Sequence, residues 1–293
     1  MTTEKERTTE TARDGTPVAG SPHGGRDGGV LGGWLKAVGA FALALALVGA
    51  AGAAPPDSAR AKPRKDRVVI MAAHPDDLIS CAGLVLLTKD VFEWHLVDFT
   101  YGEWGLGKKG FEDGSTKATR IREEEAACAL AGIRLHWLGG CDGSLYANEE
   151  MCEKLRRLVC EIDPRAIITH WPIDCNADHV MCGAMTLKVL RSMGKMFDES
   201  LEVYFHDEVG QPRNFTPHHW VDISPVLKQR DELIRCYACQ NPEGSIALLT
   251  RSNDLRGFWS RVGGFRGRYY EVYADLGCVT AGRRTIFDEI PQR

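Results

Sequence analysis

Short apolar runs alternate with helix-like segments along this chain, and that alternation constrains the fold more than any other feature. Val68 to Ala73, Trp94 to Thr100, Ile133 to Leu138 and Ala166 to His170 are too short for helices and apolar enough to be strands buried on both faces. Between and after them, Leu78 to Leu87, Thr119 to Ala131, Glu149 to Ile162 and Asp178 to Met193 have helical character. Gly132 and Asp163-Pro164 are stop signals, and Asp178 or Ala177 stands near the N-cap of the last helix. The pattern predicts an α/β, Rossmann-like fold: a mostly parallel sheet with helices on both faces. Leu201 to His206 and Trp220 to Ile223 are two further strands, and Ser224-Pro225 opens a helix to about Cys239. The tail after Gly257 is rich in aromatics and arginines, from Phe258 and Trp259 to Tyr269 and Tyr270. It reads as surface packing, or as a sugar or phosphate contact.

In such sheets ligands bind beyond the carboxyl ends of the strands. His74, Asp76, Asp77, Glu103, Asp142, Asp174 and His179 all lie just after predicted strands. In His74-Pro75-Asp76-Asp77 one histidine and two carboxylates share a turn that the proline fixes. Three N/O ligands and a spare carboxylate make a hydrolytic centre with an open coordination position. His74, Asp77 and the distant His179 are assigned as ligands of Zn2+ or another divalent cation, with Asp76 as general base. Asp178 is a supporting partner or helix cap, and Asp174 sits in the same loop. Glu103 and Trp104, in a Gly-rich loop, are candidates to line a substrate site, or simply loop residues.

The remaining sequence bounds partners and location. A formal charge of −4, with no Lys/Arg block outside a linker, argues against nucleic acid as partner. Residues 1–33 are polar and Gly-rich and are expected to be disordered. Residues 34–54, with an unbroken small and apolar run from Ala37, read as a signal peptide or a membrane anchor. Either places the catalytic part outside the cytoplasm, exported or tethered to a membrane. Residues 55–65 form a linker, and the catalytic domain takes 66–293. An exported chain could pair its ten cysteines, but Cys128, Cys152, Cys160 and Cys182 fall in helical segments where Cys packs as a small apolar residue. Cys236 and Cys239 have CxxC spacing without a second CxxC, which favours packing over zinc or redox chemistry.

At the quoted residues the chain resembles the LmbE-like, or PIG-L, deacetylase family. The matches are Ala73-His74-Pro75-Asp76-Asp77, then Trp171-Pro172-Ile173-Asp174 leading to Asp178-His179, then Asn214-Phe215-Thr216-Pro217 to Val221-Asp222-Ile223-Ser224. Arg120-Ile121-Arg122-Glu123 looks like the family's Arg-x-x-Glu helix, closed by Leu130-Ala131-Gly132. The resemblance spans Arg67 to Gln240. It implies a zinc-dependent hydrolase that removes acetyl from an N-acetylglucosamine-type amino sugar, free or in a glycoconjugate. It implies His74, Asp77 and His179 on zinc, Asp76 as base, and Arg120 (or Arg122 in the neighbouring register) on substrate. Two positions depart from the family: Leu78 stands where Glu is frequent, and Asn176 where relatives often carry histidine. Asn176 can donate a hydrogen bond to a developing oxyanion but cannot supply a proton. A hydrolase of another amide or an ester, and a catalytically weak sugar-binding homologue, are the alternatives.

Overall fold

The computed structural model describes residues 64–196, 198–208, 211–262, 267–276 and 283–292, apart from the side chains of 259–262. The N-terminal segment, the apolar stretch and nearly all of the linker lie outside the described residues. No helix among the described residues is long and apolar enough to cross a membrane.

Among the described residues seven strands form one sheet: β1 (Arg67–Ala72), β2 (Glu93–Asp98), β3 (Arg134–Trp137), β4 (Ala166–His170), β5 (Glu202–His206), β6 (His219–Asp222) and β7 (Tyr270–Asp275). Their order is β3-β2-β1-β4-β5-β7-β6. The first five are parallel, and β7 runs antiparallel to both β5 and β6. The predicted α/β fold with a mostly parallel sheet is therefore the one observed. Continuous apolarity in β1 has a direct cause, since the strand is covered on both sides. Val68, Ile70 and Ala72 enter one core with Leu84, Leu87 and Trp94. Val69, Met71 and Ala73 enter the other with Leu155, Met185 and Leu190. Period-two alternation of side chains makes both faces apolar where both are buried.

The helices are α1 (Ala82–Thr88), α2 (Gly107–Glu112), α3 (Ser115–Ala131), α4 (Glu149–Ile162), α5 (Ala177–Ser192), α6 (Leu227–Ile234) and α7 (Pro242–Val262). Three differ from expectation for physical reasons. The helix expected from Leu78 is interrupted: Asp77–Ser80 is a 3-10 turn, because the Asp77 side chain folds back onto the chain before it. The N-cap of α5 is Asn176, whose Oδ1 accepts the Asp178 amide at 2.9 Å, rather than Asp178 or Ala177. The helix expected over Ser224 to Cys239 is broken into a 3-10 turn, α6 and a second 3-10 turn over Ala238–Gln240. In the tail, Tyr270 is buried and opens β7 rather than packing on the surface. Nine cysteines are free, including Cys236 and Cys239, and the tenth, Cys278, lies outside the described residues.

The strand order reverses between β1 and β4, so their carboxyl ends diverge and leave a crevice. The loops after β1 and β4 both enter it.

Candidate metal centre

Asp77 organises the crevice. Its Oδ2 accepts the amides of Ala73 at 2.9 Å and His74 at 2.8 Å, and Nε2 of His170 at 3.0 Å. Oδ1 faces Nε2 of His179 at 3.5 Å, and Nδ1 of His74 lies 3.7 Å from Oδ2. His74, Asp77 and His179 thus offer three ligand atoms within 4.8 Å of one another. The two imidazoles come from far-separated loops, after β1 and on the first turn of α5.

Each of these histidines is backed by a carboxylate on its other ring nitrogen. Nε2 of His74 lies 3.3 Å from both Asp142 Oδ1 and Asp178 Oδ2. Nδ1 of His179 faces Asp174 Oδ2 at 3.5 Å without a hydrogen bond between them. A hydrogen-bonded carboxylate, as at His74, fixes the ring and the tautomer of a metal-binding histidine. Asp178 is itself held by the amides of Gly143 at 2.6 Å and Leu145 at 3.1 Å, and Asp174 accepts the Asn176 amide at 2.8 Å.

Electrostatics identify the charge this arrangement favours. Burial opposes protonation of His74 and His179, but neighbouring carboxylates outweigh it. His74 is raised well above the ordinary imidazole value by Asp142, Asp178 and Asp77. His179 is pushed up to about 9, chiefly by Asp77. Burial also works to raise Asp77, yet His179 and His170 hold it well below the usual carboxylate range. A site that draws protons onto two imidazoles around a fixed carboxylate is one that accepts a cation. The donor set, two imidazoles and a carboxylate with carboxylates behind, fits zinc with a position left open.

Asp76 stands beside this set in the left-handed region at φ 93°, a conformation that carries roughly 1–3 kcal/mol of strain in a non-glycine residue. Two contacts hold it there. Its amide donates to Glu124 Oε2 at 2.9 Å, and its Oδ1 accepts Arg120 Nη2 at 3.0 Å. Arg120 Nη2 also donates to the Pro75 carbonyl. Burial raises Asp76 to about 6; Arg120 opposes the rise and Asp77 adds to it. An elevated carboxylate beside a cation site suits a proton acceptor.

A cavity of about 350 Å3 opens over these groups, lined by His74, Asp76, Asp77, Arg120, Asn176 and His179 together with Trp104, Asp142, Glu208, Gln211 and Gln240. Trp104 is 43% exposed and stacks on Phe111 with ring centroids 4.1 Å apart. Glu103 does not line the cavity and accepts the Tyr101 amide at 3.2 Å. Of the two arginines, Arg120 is buried against Asp76, whereas Arg122 is exposed and bonds Thr119. Since Asn176 Oδ1 is taken by its capping bond, the amide nitrogen is the group left to donate into the cavity.

Four residues at the site were not assigned from sequence. Glu124 holds the Asp76 amide, whereas Glu123 turns to the Cys239 amide at 2.8 Å. The signal for Glu124 was its spacing of four from Arg120, which puts both on one helix face. Asp142 is marked in the sequence only by its place after a strand. His206 and Glu208, at the end of β5, carried no motif.

Comparisons with known proteins bear on the family and the fold. Residues 69–190 match the family model described as PIG-L, GlcNAc-PI de-N-acetylase. No curated protein matches the chain. Among solved structures, a 4-carboxy-2-hydroxymuconate hydratase from Pseudomonas putida KT2440 superposes with a TM-score of 0.64 at 19% identity, covering 76% of this chain and 100% of its own. N,N'-diacetylchitobiose deacetylase from Pyrococcus horikoshii gives 0.60 at 18%, covering 72% and 84%. A deacetylase of teicoplanin biosynthesis gives 0.54 at 15%, covering 72% and 99%. At these identities the likeness is one of fold. The family match spans β1 to α5 and encloses His74, Asp76, Asp77, Asn176 and His179, so residues 69–190 form a PIG-L, or LmbE-like, family domain.

Proposed function

We propose that the protein is a zinc- or other divalent-cation-dependent N-deacetylase acting on an N-acetylglucosamine-type amino sugar or its conjugate. One observation carries the reading: His74, Asp77 and His179 present converging ligand atoms, with the strained carboxylate of Asp76 beside them at the cavity. The match to a de-N-acetylase model supports the reaction, and the N,N'-diacetylchitobiose deacetylase and the deacetylase of teicoplanin biosynthesis among the structural neighbours support the substrate class. A zinc-inhibited form of a teicoplanin deacetylase is also among those neighbours.

His74, Asp77 and His179 would hold the ion. When bound, it polarises an amide carbonyl and lowers the pKa of water. Asp76 takes the proton from the attacking water, while Arg120 and Glu124 fix its position. The Asn176 amide nitrogen donates to the oxyanion as the carbonyl becomes tetrahedral. Asp76 then returns its proton to the departing amine, since Asn176 has none to give. The stacked Trp104–Phe111 pair offers an apolar ring face to the sugar. The apolar segment at residues 34–54 supports, in our reading, an exported or membrane-anchored protein with this activity outside the cytoplasm.

The test is acetate release from N-acetylglucosamine conjugates by wild type, Asp76→Ala and His179→Ala. Activity that both substitutions abolish is the expected result, and activity that both retain would overturn the reading. Asn176 favours a second reading, sugar binding without turnover. Calorimetric binding of N-acetylglucosamine to zinc-loaded protein that releases no acetate would establish it instead.

A further inference from the structure

We propose that a second divalent cation binds among His170, His206 and Glu208, behind the centre described above and independent of the reaction assigned to it. The topology brings these residues together. His170 ends β4 and His206 ends β5, and the two are register partners in the parallel ladder. Their rings lie 4.6 Å apart, and Glu208 follows two residues on. All three are buried, and each offers a ligand atom within 4.8 Å of the others. Three atoms no farther apart than that lie within about 2.8 Å of a common point (the side divided by √3), and small rotations bring them to the roughly 2.0–2.1 Å of zinc ligation.

Among the described residues both rings keep a nitrogen free of hydrogen bonds. His170 Nε2 lies 3.0 Å from Asp77 Oδ2 and 3.1 Å from the Ala73 amide nitrogen; that amide has Asp77 Oδ2 as its nearer acceptor at 2.9 Å, so the ring proton is assigned to Nε2, towards the carboxylate, and the lone pair to Nδ1. That Nδ1 is buried and has no partner among the described residues. Both ring nitrogens of His206, a residue 1% exposed, likewise have none. Its Nδ1 lies 3.7 Å from Glu208 Oε2, and that oxygen accepts Ser80 Oγ at 2.8 Å. Buried imidazole nitrogens left unbonded are a cost to the fold, and a cation satisfies one on each ring at once. The surroundings are those of a metal site: Asp77 orients one imidazole, Ser80 orients the carboxylate, and Glu208 also lines the open cavity, which gives an entry path. Two imidazoles and one carboxylate suit zinc best.

The test is metal content of the full-length chain after saturation with zinc and desalting, read by mass spectrometry, with circular dichroism confirming the fold. Wild type is expected to retain about two equivalents, and His206→Ala and His179→Ala about one each, by losing different sites. Wild type with about one equivalent, unchanged in His206→Ala, would overturn the proposal. If His206→Ala does not fold, anomalous scattering at the zinc edge from wild-type crystals decides: a peak between His170 and His206 supports the site and its absence refutes it. If only His206→Ala lowers the count, the second site stands and the reading of the first one fails.

Discussion

Replacing Arg120 by Met separates function from stability. The guanidinium is 3% exposed, and Nη2 bonds the Pro75 carbonyl and the Asp76 carboxylate. Its Nε and Nη1 have no partner among the described residues. Hydrogen bonds to charged groups contribute about 1.5–3 kcal/mol each, and each buried donor left unbonded costs about 1–3 kcal/mol. The Asp76 side chain is 26% exposed, so water replaces part of what it loses, and the first effect falls towards its lower bound. The two contributions then partly cancel, and Arg120→Met is expected to cost about 1–2 kcal/mol of unfolding free energy, short of the roughly 3–5 kcal/mol for breaking a fully buried pair. Activity behaves differently. Without its partner the Asp76 carboxylate is no longer fixed against the water it deprotonates, and misplacement on that scale lowers kcat about 100-fold, or about 2.7 kcal/mol of barrier. Urea unfolding and acetate release on the same preparations measure both quantities. Activity within about threefold of wild type would refute the positioning role, and a stability loss above about 3 kcal/mol would show the ion pair to be structural.

Asn176→Asp keeps the cap acceptor but removes the amide donor, so it is expected to retain stability and lose about 100-fold or more in kcat, whereas Asn176→Ala loses both the rate and about 1 kcal/mol. Equal rates for wild type and Asn176→Asp would exclude the oxyanion role. Burial holds Glu124 up at about 8, so the folded state keeps a proton that the unfolded chain gives up near its ordinary value of 4.5. Its stabilising effect is full below that value and is lost as pH rises through about 8, so Glu124→Gln is expected to flatten the fall of Tm between those limits. Parallel Tm–pH curves for the two proteins would contradict this. In Gly183→Ala the new methyl would meet the His170 carbonyl oxygen at 2.6 Å, forcing α5, which carries His179, away from β4. The expected results are a loss of about 1–3 kcal/mol in urea unfolding and weaker zinc binding; wild-type values for both would show that the helix has room to move.

The residues of the first centre were legible because chemistry and topology coincide at them. His74-Pro75-Asp76-Asp77 directly follows an apolar run that can only be a central strand, and His179 follows another. What surrounds them was less legible. Choosing Glu124 over Glu123 depends on the rotation of α3, and a helix with polar residues on every side gives weak evidence of its phase. The cluster of His170, His206 and Glu208 depends on the pairing of β4 with β5, a long-range contact that no local pattern encodes. Strand β7 interleaves acidic with apolar residues after an arginine-rich stretch of sequence and so resembles surface, although Tyr270 and Tyr273 are buried. Helix α7 contains Gly244 and Gly257, which weaken its helical signal.

The account rests on His74, Asp77 and His179 holding a divalent ion that amide hydrolysis requires. The direct measurement is acetate release by protein stripped with a chelator and then titrated with zinc. Activity is expected to vanish on stripping and to return on titration, while His179→Ala stays inactive at the same zinc concentrations. Undiminished activity in protein shown by mass spectrometry to be free of metal would contradict it.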